Sequence, residues 1–471
     1  MVATEVADRA HQFAFGRDDP ASTESLVYAR LWDMNPLPRV LLSAFLSLQS
    51  IAALHSQTRD EKFRTAVDGM FAELVQTRRN LHANPELSNE EKQTSRVVAD
   101  KLKSLGLEVT EGIAGYGIVA LLKGKSEGRC LAVRADMDGL PIKELRSVPY
   151  RSRNPGVMHA CGHDVHVTVA LGVAELLSRF KDDVQGTVKF IFQPAEEGMP
   201  ATFEGDWGAK KMVAEGVMEN PKPEAILALH SSTAVTKLDS NGADIPAYLE
   251  AGELGWNIGP TNANSDRFKI TINGQMAHGS APHRGVDAIA VAAQVINALQ
   301  LIRSRETNTQ QPLVITVGTI QGGQRENVIA DRVEMAGTVR TYDDALQSRV
   351  IDLMKRTIEG ITAAHGATAE FHYRKSYPMV VNEAPLVNKL LPTMRRIAGN
   401  DQVIELRPGM GGEDFSYFSR LVPGFYFRLG CANVKEGITG GQHTPEFDVD
   451  ERALKTGVEA MAAMVCDFLQ D

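Results

Sequence analysis

The chain has 471 residues, and 50 lysine and arginine residues against 59 aspartate and glutamate residues give a formal net charge of -9. This acidic balance excludes a chain-wide cationic surface for nucleic acid. The 43% hydrophobic and 23% charged residues exclude a disordered or fibrous chain, and the length predicts two or three folding units. The four cysteines are too few for a disulfide framework, so any functional cysteine is expected to act as a thiol.

The N-terminal segment contains a mostly apolar run, residues 40–54, that follows Arg39 and precedes a polar stretch. The run is shorter than the about 20 apolar residues of a membrane-spanning helix, so we expect no stable membrane span. Its length and flanks are typical of a signal peptide. We therefore interpret residues 1–57 as an extension with a signal peptide that starts at Met34, and we expect a periplasmic or secreted protein. The alternatives are an amphipathic packing helix and a cytoplasmic location.

From residue 62 onward, helical and strand patterns alternate. Helical spacing covers residues 62–82, 89–105 and 165–179, and short apolar strands cover residues 118–122, 130–134, 188–192 and 225–229. This alternation predicts a layered α/β domain with a largely parallel sheet. Sites in such sheets lie beyond the carboxyl ends of the strands. We therefore expect the polar residues that follow these strands to converge in one cleft: Asp136, Asp138, Glu196, Glu197 and His230.

The stretch 266–377 has a different pattern, in which the predicted elements follow the order βαββαβ. This order is that of a ferredoxin-like α+β unit. Helical spacing over residues 385–398 and the strand GFYFRLG then continue the first pattern. We therefore predict a catalytic domain in two parts with an inserted domain between them. The predicted boundaries are 58–264, 265–376 and 377–471.

Two sequence clusters carry groups that bind metals or move protons. In MHACGHDVH, residues 158–166, the side chains of Cys161 and His163 can reach one metal from an extended turn. In FIFQPAEEG, residues 190–198, Glu196 and Glu197 would repel each other in a cleft unless a cation or proton compensates. One carboxylate can then bind the metal while the other handles a proton. The alternatives are a helix-capping turn with a core cysteine and a solvated acidic turn.

Three further histidines stand apart from these clusters. His230 ends an apolar strand and His443 lies in a glycine-rich loop, and each is a weak signal alone. His278 lies in QMAHGSAPHRG within the inserted domain, where it is either solvated surface or part of a polar clamp that closes over the substrate.

The motifs together resemble the M20 metallopeptidases, and within them the amidohydrolase branch of aminoacylases, hippurate hydrolases and auxin-conjugate hydrolases. The resemblance rests on the following stretches, which occur in the family's order between about residues 80 and 453: NLHANPELSNEE, RADMDGLPIKE, GVMHACGHDVH, FQPAEEG, LALH, AHGSAPH, GTVRTYD, GGEDFSYF and GQHTPEFDVDE. The chain departs from the family in the AHGSAPH turn and in a longer segment at 198–216, both of which we expect near the substrate pocket.

The resemblance implies a mixed-sheet, two-metal catalytic domain with an inserted ferredoxin-like lid and dimerisation domain. It implies that two divalent ions, compatible with Zn, Mn, Co or Ni, are bound by a set in which the cysteine bridges: Cys161, His163, Glu197, His230 and His443. Asp164 matches a residue that orients a ligand.

The resemblance also implies the roles of the remaining site residues. Glu196 matches the general base, and His278 matches a histidine that steadies the oxyanion in a partner's active site. Asn327 and Arg340 lie where the lid is expected to contact a substrate carboxylate.

The predicted function is metal-dependent hydrolysis of the amide bond of N-acyl amino acids or short peptides that carry a free carboxylate, by a homodimer that forms through the lid. The alternatives are a thiol hydrolase that uses Cys161 and a non-catalytic metal-binding homologue.

Overall fold

The computed structural model of the chain describes residues 58–199, 203, 205–239 and 241–470. The predicted signal peptide, residues 34–57, lies outside these ranges, so its interpretation stays a prediction. Within the described ranges, no helix combines the length and the apolar character that crossing a membrane requires.

The helices and strands are numbered here in chain order within the described residues. The α-helices are α1 (Arg59–Ala83), α2 (Lys92–Ser104), α3 (His163–Arg179), α4 (Gly208–Ala214), α5 (Ala288–Leu301), α6 (Asp344–Ala364), α7 (Ala384–Ala398), α8 (Ser416–Ser419) and α9 (Ala453–Gln470). The strands of the first half are β1 (Glu108–Ile113), β2 (Gly117–Lys123), β3 (Cys130–Asp136), β4 (Thr187–Gln193), β5 (Ala225–Ser232), β6 (Ala234–Leu238), β7 (Asp244–Tyr248), β8 (Leu254–Trp256) and β9 (Gly259–Asn262). Those of the second half are β10 (Asn264–Asn273), β11 (Ala277–His278), β12 (Leu313–Gly322), β13 (Val328–Ile329), β14 (Arg332–Thr341), β15 (Thr368–Tyr377), β16 (Val380–Asn382), β17 (Val403–Glu405) and β18 (Gly424–Gly430).

The main sheet has eight strands in the order β1-β2-β4-β3-β5-β18-β8-β17. Its centre is parallel, because β3 pairs parallel with both β4 and β5, and β18 pairs parallel with β5. The predicted parallel character therefore holds for the centre. Towards the edges β1, β2 and β8 pair antiparallel with their inner neighbours, so the sheet as a whole is mixed.

The central strands β3 and β5 are buried along their whole length, which explains their largely apolar sequences. Helices α1, α3 and α9 pack together on one face, and α3 buries almost every residue. On the other face, Met212 of α4 and Phe418 of α8 join Ile191 and Ile226 of the sheet in a second apolar cluster. The main sheet therefore lies between two helical layers, as the alternating pattern predicts.

A second sheet of four antiparallel strands has the order β12-β14-β10-β15. Helices α5 and α6 pack against it, and the apolar side chains of both helices and the sheet form a separate core. The chain order here is β10, α5, β12, β14, α6 and β15, with the small pair of β11 and β13 beside it. We call this region, residues 264–377, the four-stranded unit.

The chain enters and leaves the four-stranded unit through a short ribbon. Strand β9, directly before the unit, pairs antiparallel with β16, directly after it. The register joins Asn262 to Val380 and Gly259 to Asn382. All strands of the main sheet lie outside the unit, so the unit is an insertion between β9 and β16.

Candidate active site

The polar residues that follow the central strands do meet at one edge of the main sheet. Cys161 and His163 stand at the start of α3, Glu196 and Glu197 follow β4, and His230 lies near the end of β5. Side-chain contacts join these groups to one another. The carboxyl ends of the parallel strands therefore carry the candidate site, as the sequence predicts.

The five predicted metal ligands form overlapping groups of close side chains. Sγ of Cys161 lies 3.4 Å from Nε2 of His230 and 3.4 Å from Nε2 of His443. Oε1 of Glu197 lies 3.1 Å from Nε2 of His443 and 4.0 Å from Nε2 of His163. Ligand atoms of Cys161, His163 and His230 form one compact group, and those of Cys161, Glu197 and His443 form a second. Cys161 belongs to both groups.

The histidine rings in this cluster are oriented by hydrogen bonds to their other nitrogen. Nδ1 of His163 donates to Asp138 at 3.2 Å, and Nδ1 of His230 donates to the main-chain oxygen of Ser231 at 2.7 Å. Each bond leaves Nε2 as a lone-pair donor that faces the cluster. Nε2 of His163 and Oε1 of Glu197 are buried and have no hydrogen-bond partner among the described residues. Buried polar atoms in native proteins are normally satisfied, so this donor set fits a cation.

A glycine shapes the turn that brings Cys161 and His163 together. Gly162 has a φ of 91°, a left-handed conformation that side-chain-bearing residues rarely adopt. A Cβ at this position would also lie 2.0 Å from Oγ of Ser231. Glycine is therefore suited to the turn between Cys161 and the helix that begins with His163.

Asp138 organises the site, although its place after a strand was the only role predicted for it. Its carboxylate accepts the main-chain N–H groups of Glu196 and Glu197 at 3.1 and 3.0 Å and the hydroxyl of Ser88 at 2.7 Å. It also accepts the hydrogen bond from His163. One buried carboxylate thus fixes both the acidic turn and a candidate ligand. The alternation of apolar strand and following aspartate was the available signal.

Behind the cluster lies a buried guanidinium that binds several carboxylates. Arg134 of β3 contacts Asp136 at 2.6 Å and both Glu413 and Asp414 at 3.0 Å. Glu413 and Asp414 belong to the GGEDFSYF stretch, one of the motifs that carry the family resemblance. This arginine offsets the negative charge that the acidic residues bring to the site.

The electrostatic environment favours protonation of Glu196. Burial raises its pKa well above the usual range, and the neighbouring carboxylates of Glu413 and Glu197 raise it further. Burial also raises the pKa of the Cys161 thiol, again with Glu197 and Glu196 adding to the effect. A carboxylate with a high proton affinity is suited to accept a proton from water. A divalent cation would counter both shifts, because it stabilises a thiolate and a carboxylate.

The Asp164 carboxylate makes its contacts with residues that are not candidate ligands, which corrects the orienting role expected for it. Its carboxylate lies 2.8 Å from Nε of Arg78 and 2.9 Å from Nδ1 of His82, both on α1. The pKa of Asp164 is strongly lowered, because these cationic partners outweigh the effect of burial. Asp164 therefore ties α3 to α1, and Asp138 is the residue that orients His163.

A cavity of about 710 Å³ opens beside the cluster. Its lining includes Cys161, Glu196, Glu197, His230 and His443, and Arg340 of β14 from the four-stranded unit.

His278 and Asn327 are not among the described residues that line this cavity. His278 is exposed, and Gly279 beside it bonds the main-chain oxygen of Asn327 at 2.7 Å. Arg340 thus lines the same cavity as the cluster, whereas His278 and Asn327 lie beside each other outside the cavity lining.

The chain is similar to a known protein family over most of its length. The sequence model of Peptidase family M20/M25/M40 matches residues 132–467, which include the whole ligand cluster and the four-stranded unit. The chain belongs to this family. The match confirms the resemblance that the motifs indicate, and this member of the family is an M20-type hydrolase.

Relatives match this M20 hydrolase over most of its length. Thermostable carboxypeptidase 2 of Saccharolobus solfataricus is 38% identical over 410 residues, which cover 87% of this chain and 98% of the relative. An N-acyl-L-amino acid amidohydrolase of Geobacillus stearothermophilus is 40% identical over 322 residues, 68% of this chain and 81% of the relative. A crystal structure of a dinuclear metal binding M20 peptidase from Bacillus subtilis is 33% identical with a TM-score of 0.70, and the match covers 86% of this chain and 99% of that one.

Proposed function

We propose that this M20 hydrolase cleaves the amide bond of N-acyl amino acids or short peptides that carry a free carboxylate, and that it uses two divalent metal ions. The observation that carries the proposal is the pair of overlapping ligand groups that share Cys161. A ligand common to both groups suits two cations placed side by side. The relatives named as a carboxypeptidase and an N-acyl-L-amino acid amidohydrolase support the substrate class.

The proposed metal ligands are Cys161, His163, Glu197, His230 and His443. Thiolate, imidazole and carboxylate donors in one site are compatible with Zn, Mn, Co or Ni. The unsatisfied buried atoms of His163 and Glu197 support binding at this place. The Bacillus subtilis relative, described as a dinuclear metal binding peptidase, supports the number of ions.

We assign the general base to Glu196. Bound divalent cations supply Lewis acidity for the attacking water and the scissile carbonyl. The Glu196 carboxylate accepts the proton of the water as it attacks and then delivers a proton to the leaving amine. Its main chain is held by Asp138 through the N–H of Glu196. The acidic turn is therefore fixed while the carboxylate moves the proton.

We further propose that the four-stranded unit is a ferredoxin-like lid and the dimer interface. Arg340 lines the cavity, where its guanidinium suits a substrate carboxylate. His278 and Asn327 lie together on the same unit but outside the cavity lining. This arrangement is what we expect if His278 serves the active site of a partner subunit. Asn327 would then contact substrate from the same position.

The thiol hydrolase alternative is disfavoured by the surroundings of Cys161. Reactive cysteines have a lowered pKa in electropositive surroundings. Burial and the carboxylates of Glu197 and Glu196 instead raise the pKa of this thiol. A non-catalytic homologue is disfavoured by the presence of the base candidate Glu196 together with every proposed ligand.

A reconstitution screen tests the proposed function. The purified protein is stripped with EDTA, reloaded separately with Zn, Mn, Co or Ni, and assayed for amine release from hippurate, N-acetyl amino acids and dipeptides. We expect activity that is lost on chelation and restored by at least one of these ions. Activity that is indifferent to thorough metal removal would overturn the metal mechanism, and no hydrolysis with any metal would overturn the substrate class.

We also propose export of the mature protein. The apolar run at residues 40–54 and its flanks support this proposal and predict cleavage near residues 53–57. N-terminal sequencing of protein from the native host is expected to begin near residues 54–58. A mature chain that begins at Met1 in the cytoplasm would contradict the proposal.

A further inference from the structure

Four arginines line the active-site cavity: Arg267, Arg340, Arg407 and Arg428. Arg407 is paired with Asp244 at 2.7 Å. Within the part of the chain that the structure describes, the other three guanidinium groups have no carboxylate within ion-pairing distance. The cavity wall therefore carries more positive charge than its own residues neutralise.

Arg428 belongs to the main sheet and not to the four-stranded unit. It lies on β18 in parallel register with His230 on β5. Registered residues on neighbouring strands project from the same face of a sheet, so Arg428 stands beside this metal-ligand candidate. Its guanidinium donates to Oδ1 of Asn262 at 3.1 Å and stacks over the ring of Tyr426 at 5.0 Å. Both partners are neutral, so they orient the cation without neutralising it.

A glycine-rich loop lies near both Arg428 and Arg340. Asn262, the partner of Arg428, donates to the main-chain oxygen of Gly411 at 3.4 Å. On the next residue, a Cβ built on Gly412 would lie 3.0 Å from Nη1 of Arg340. Both guanidinium groups therefore lie near this loop, which itself lines the cavity.

The acidic residues of the cavity are already engaged elsewhere. Glu413 contacts Arg134 at 3.0 Å and accepts the hydroxyl of Tyr426 at 2.6 Å. Glu197 is a proposed metal ligand, and Glu196 is the proposed base. Unpaired charges in partly buried positions are unfavourable unless a ligand compensates them. A single substrate carboxylate carries one negative charge, so it cannot neutralise both Arg340 and Arg428.

We propose that Arg428 determines specificity by binding a second carboxylate of the substrate, so that the preferred substrates are N-acyl amino acids with two acid groups. The inference rests on the proposed hydrolysis and names its substrate class. One carboxylate binds the Arg340 guanidinium, and the second binds Arg428. The second acid group comes either from the side chain of an acidic amino acid or from a dicarboxylic acyl group.

Matched substrate pairs test the inference and distinguish these two sources. The metal-loaded enzyme is assayed with N-acetylglutamate against N-acetylglutamine, and with N-succinylleucine against its neutral amide analogue N-succinamoylleucine. We expect kcat/KM to favour the diacid by about tenfold or more in one pair, since hydrogen bonds to charged groups contribute on this scale. The pair that shows the preference identifies the source of the second carboxylate.

Variants assign the preference to Arg428. Arg428→Gln is expected to bring the ratio within the preferred pair close to one, while Arg428→Lys keeps a reduced preference because it retains the charge. Arg407→Gln is the matched control, because that arginine lines the same cavity but is already paired with Asp244. Its substrate ratio is expected to stay at the wild-type value. Circular dichroism and melting temperature verify that each variant is folded.

A binding measurement separates failure of the inference from failure of the proposed function. Calorimetry with the Glu196→Gln protein gives the Kd of each substrate without turnover, and it is repeated with Arg428→Gln added. Diacid preference in Kd that disappears with Arg428→Gln supports the inference even where hydrolysis is absent, which would overturn the proposed function alone. Hydrolysis of neutral N-acetyl amino acids with equal efficiency in both pairs would overturn the inference and leave the function standing. Equal loss of Arg428→Gln activity on both members of a pair would also overturn it.

Discussion

The phenolic hydroxyl of Tyr377 donates a hydrogen bond to the main-chain oxygen of Glu196 at 2.7 Å. Tyr377 ends β15, the last strand of the four-stranded unit, and Glu196 lies in the acidic turn after β4. Nε1 of Trp207 donates to the same hydroxyl at 3.0 Å, and the guanidinium of Arg374 stacks over the Trp207 ring at 4.7 Å. The four-stranded unit thus contacts the backbone of the proposed base directly.

This contact predicts that Tyr377 positions Glu196. Tyr377→Phe leaves the main-chain oxygen of Glu196 without this donor, and we expect kcat to fall about tenfold with little change in KM. Steady-state kinetics of the metal-loaded enzyme check this split. Tyr373→Phe is the matched control, because it removes a phenol that donates to Asp266 within the unit. An equal fall in kcat for both variants would contradict a specific role of Tyr377.

The division of roles within the acidic turn is tested by two substitutions. Glu196→Gln is expected to keep both metals but to lower kcat by about a hundred- to ten-thousandfold, because an amide cannot accept the proton of water. Glu197→Gln is expected to lower the metal content, because Glu197 is a proposed ligand. Metal analysis by mass spectrometry and kcat are measured on the same samples. Near-normal kcat in the Glu196 variant would refute the assignment of the base.

Metal binding is expected to stabilise the folded protein. A ligand at a hundred times its Kd stabilises the native state by about 2.7 kcal/mol, so chelation should lower the melting temperature and reloading should restore it. Cys161→Ala should abolish most of this difference, because both ligand groups include this thiol. Cys130→Ala, a buried cysteine on β3, serves as the control. A wild-type melting temperature that does not change when EDTA is added would contradict the prediction.

Complementation between subunits tests the proposed role of His278. His278→Ala and Glu196→Gln are each expected to be nearly inactive alone. A mixture should regain activity, because some heterodimers carry one site in which Glu196 of one subunit is intact and His278 comes from the partner. Subunit exchange is verified by differently tagged chains. If exchange occurs and no activity returns, His278 does not act across the interface.

We expect Asp467 to stabilise the folded protein at neutral pH and to lose this contribution in acid. Burial raises its pKa, but hydrogen bonds from Thr393, Arg396 and Arg59 outweigh this effect, so the folded-state pKa is lowered. A lowered pKa contributes stability that is present above the ordinary value and lost as the pH falls through the folded value. Asp467→Asn should therefore lower the free energy of unfolding by about 1 kcal/mol at neutral pH and by less in acid.

Denaturant unfolding of the Asp467 variant at pH 7 and at about pH 3 measures this difference. Asp401→Asn is the control, because Asp401 is exposed and has no ion pair among the described residues. A wild-type advantage that stays constant across this pH range would contradict the assigned linkage.

Long apolar runs made much of the fold predictable. The strand predicted at 188–192 is β4, and the helix predicted at 385–398 is α7. The short length of the first apolar run indicates a strand, and the helical spacing of the second, longer segment indicates a helix. Strands β8 and β17 have three residues each and pair at the sheet edge, where their sequence carries no such period. The mixed character of the sheet could therefore not be read from local patterns alone.

The candidate site was predictable where motifs hold the ligands, and less so where partners come from distant elements. Asp164 follows His163 in sequence, but successive residues on a helix point in different directions, and Asp164 meets Arg78 and His82 of α1 instead. Likewise, the unpaired state of Arg428 depends on which carboxylates the fold brings near it. No spacing rule in a single sequence reports such distant neighbours.

The ribbon of β9 and β16 gives the insertion closely spaced ends. Residues paired across such a ribbon have Cα atoms about 4.5–5.5 Å apart. The two points at which the chain enters and leaves the insertion therefore lie close together. Removing residues 264–377 would leave every strand of the main sheet, and a short turn could rejoin the chain. The entropic cost of closing a loop between adjacent ends grows only slowly with loop length. The catalytic domain is therefore expected to tolerate insertions of very different length at this point. The whole unit could therefore be replaced or reshaped while the proposed metal ligands stay in place.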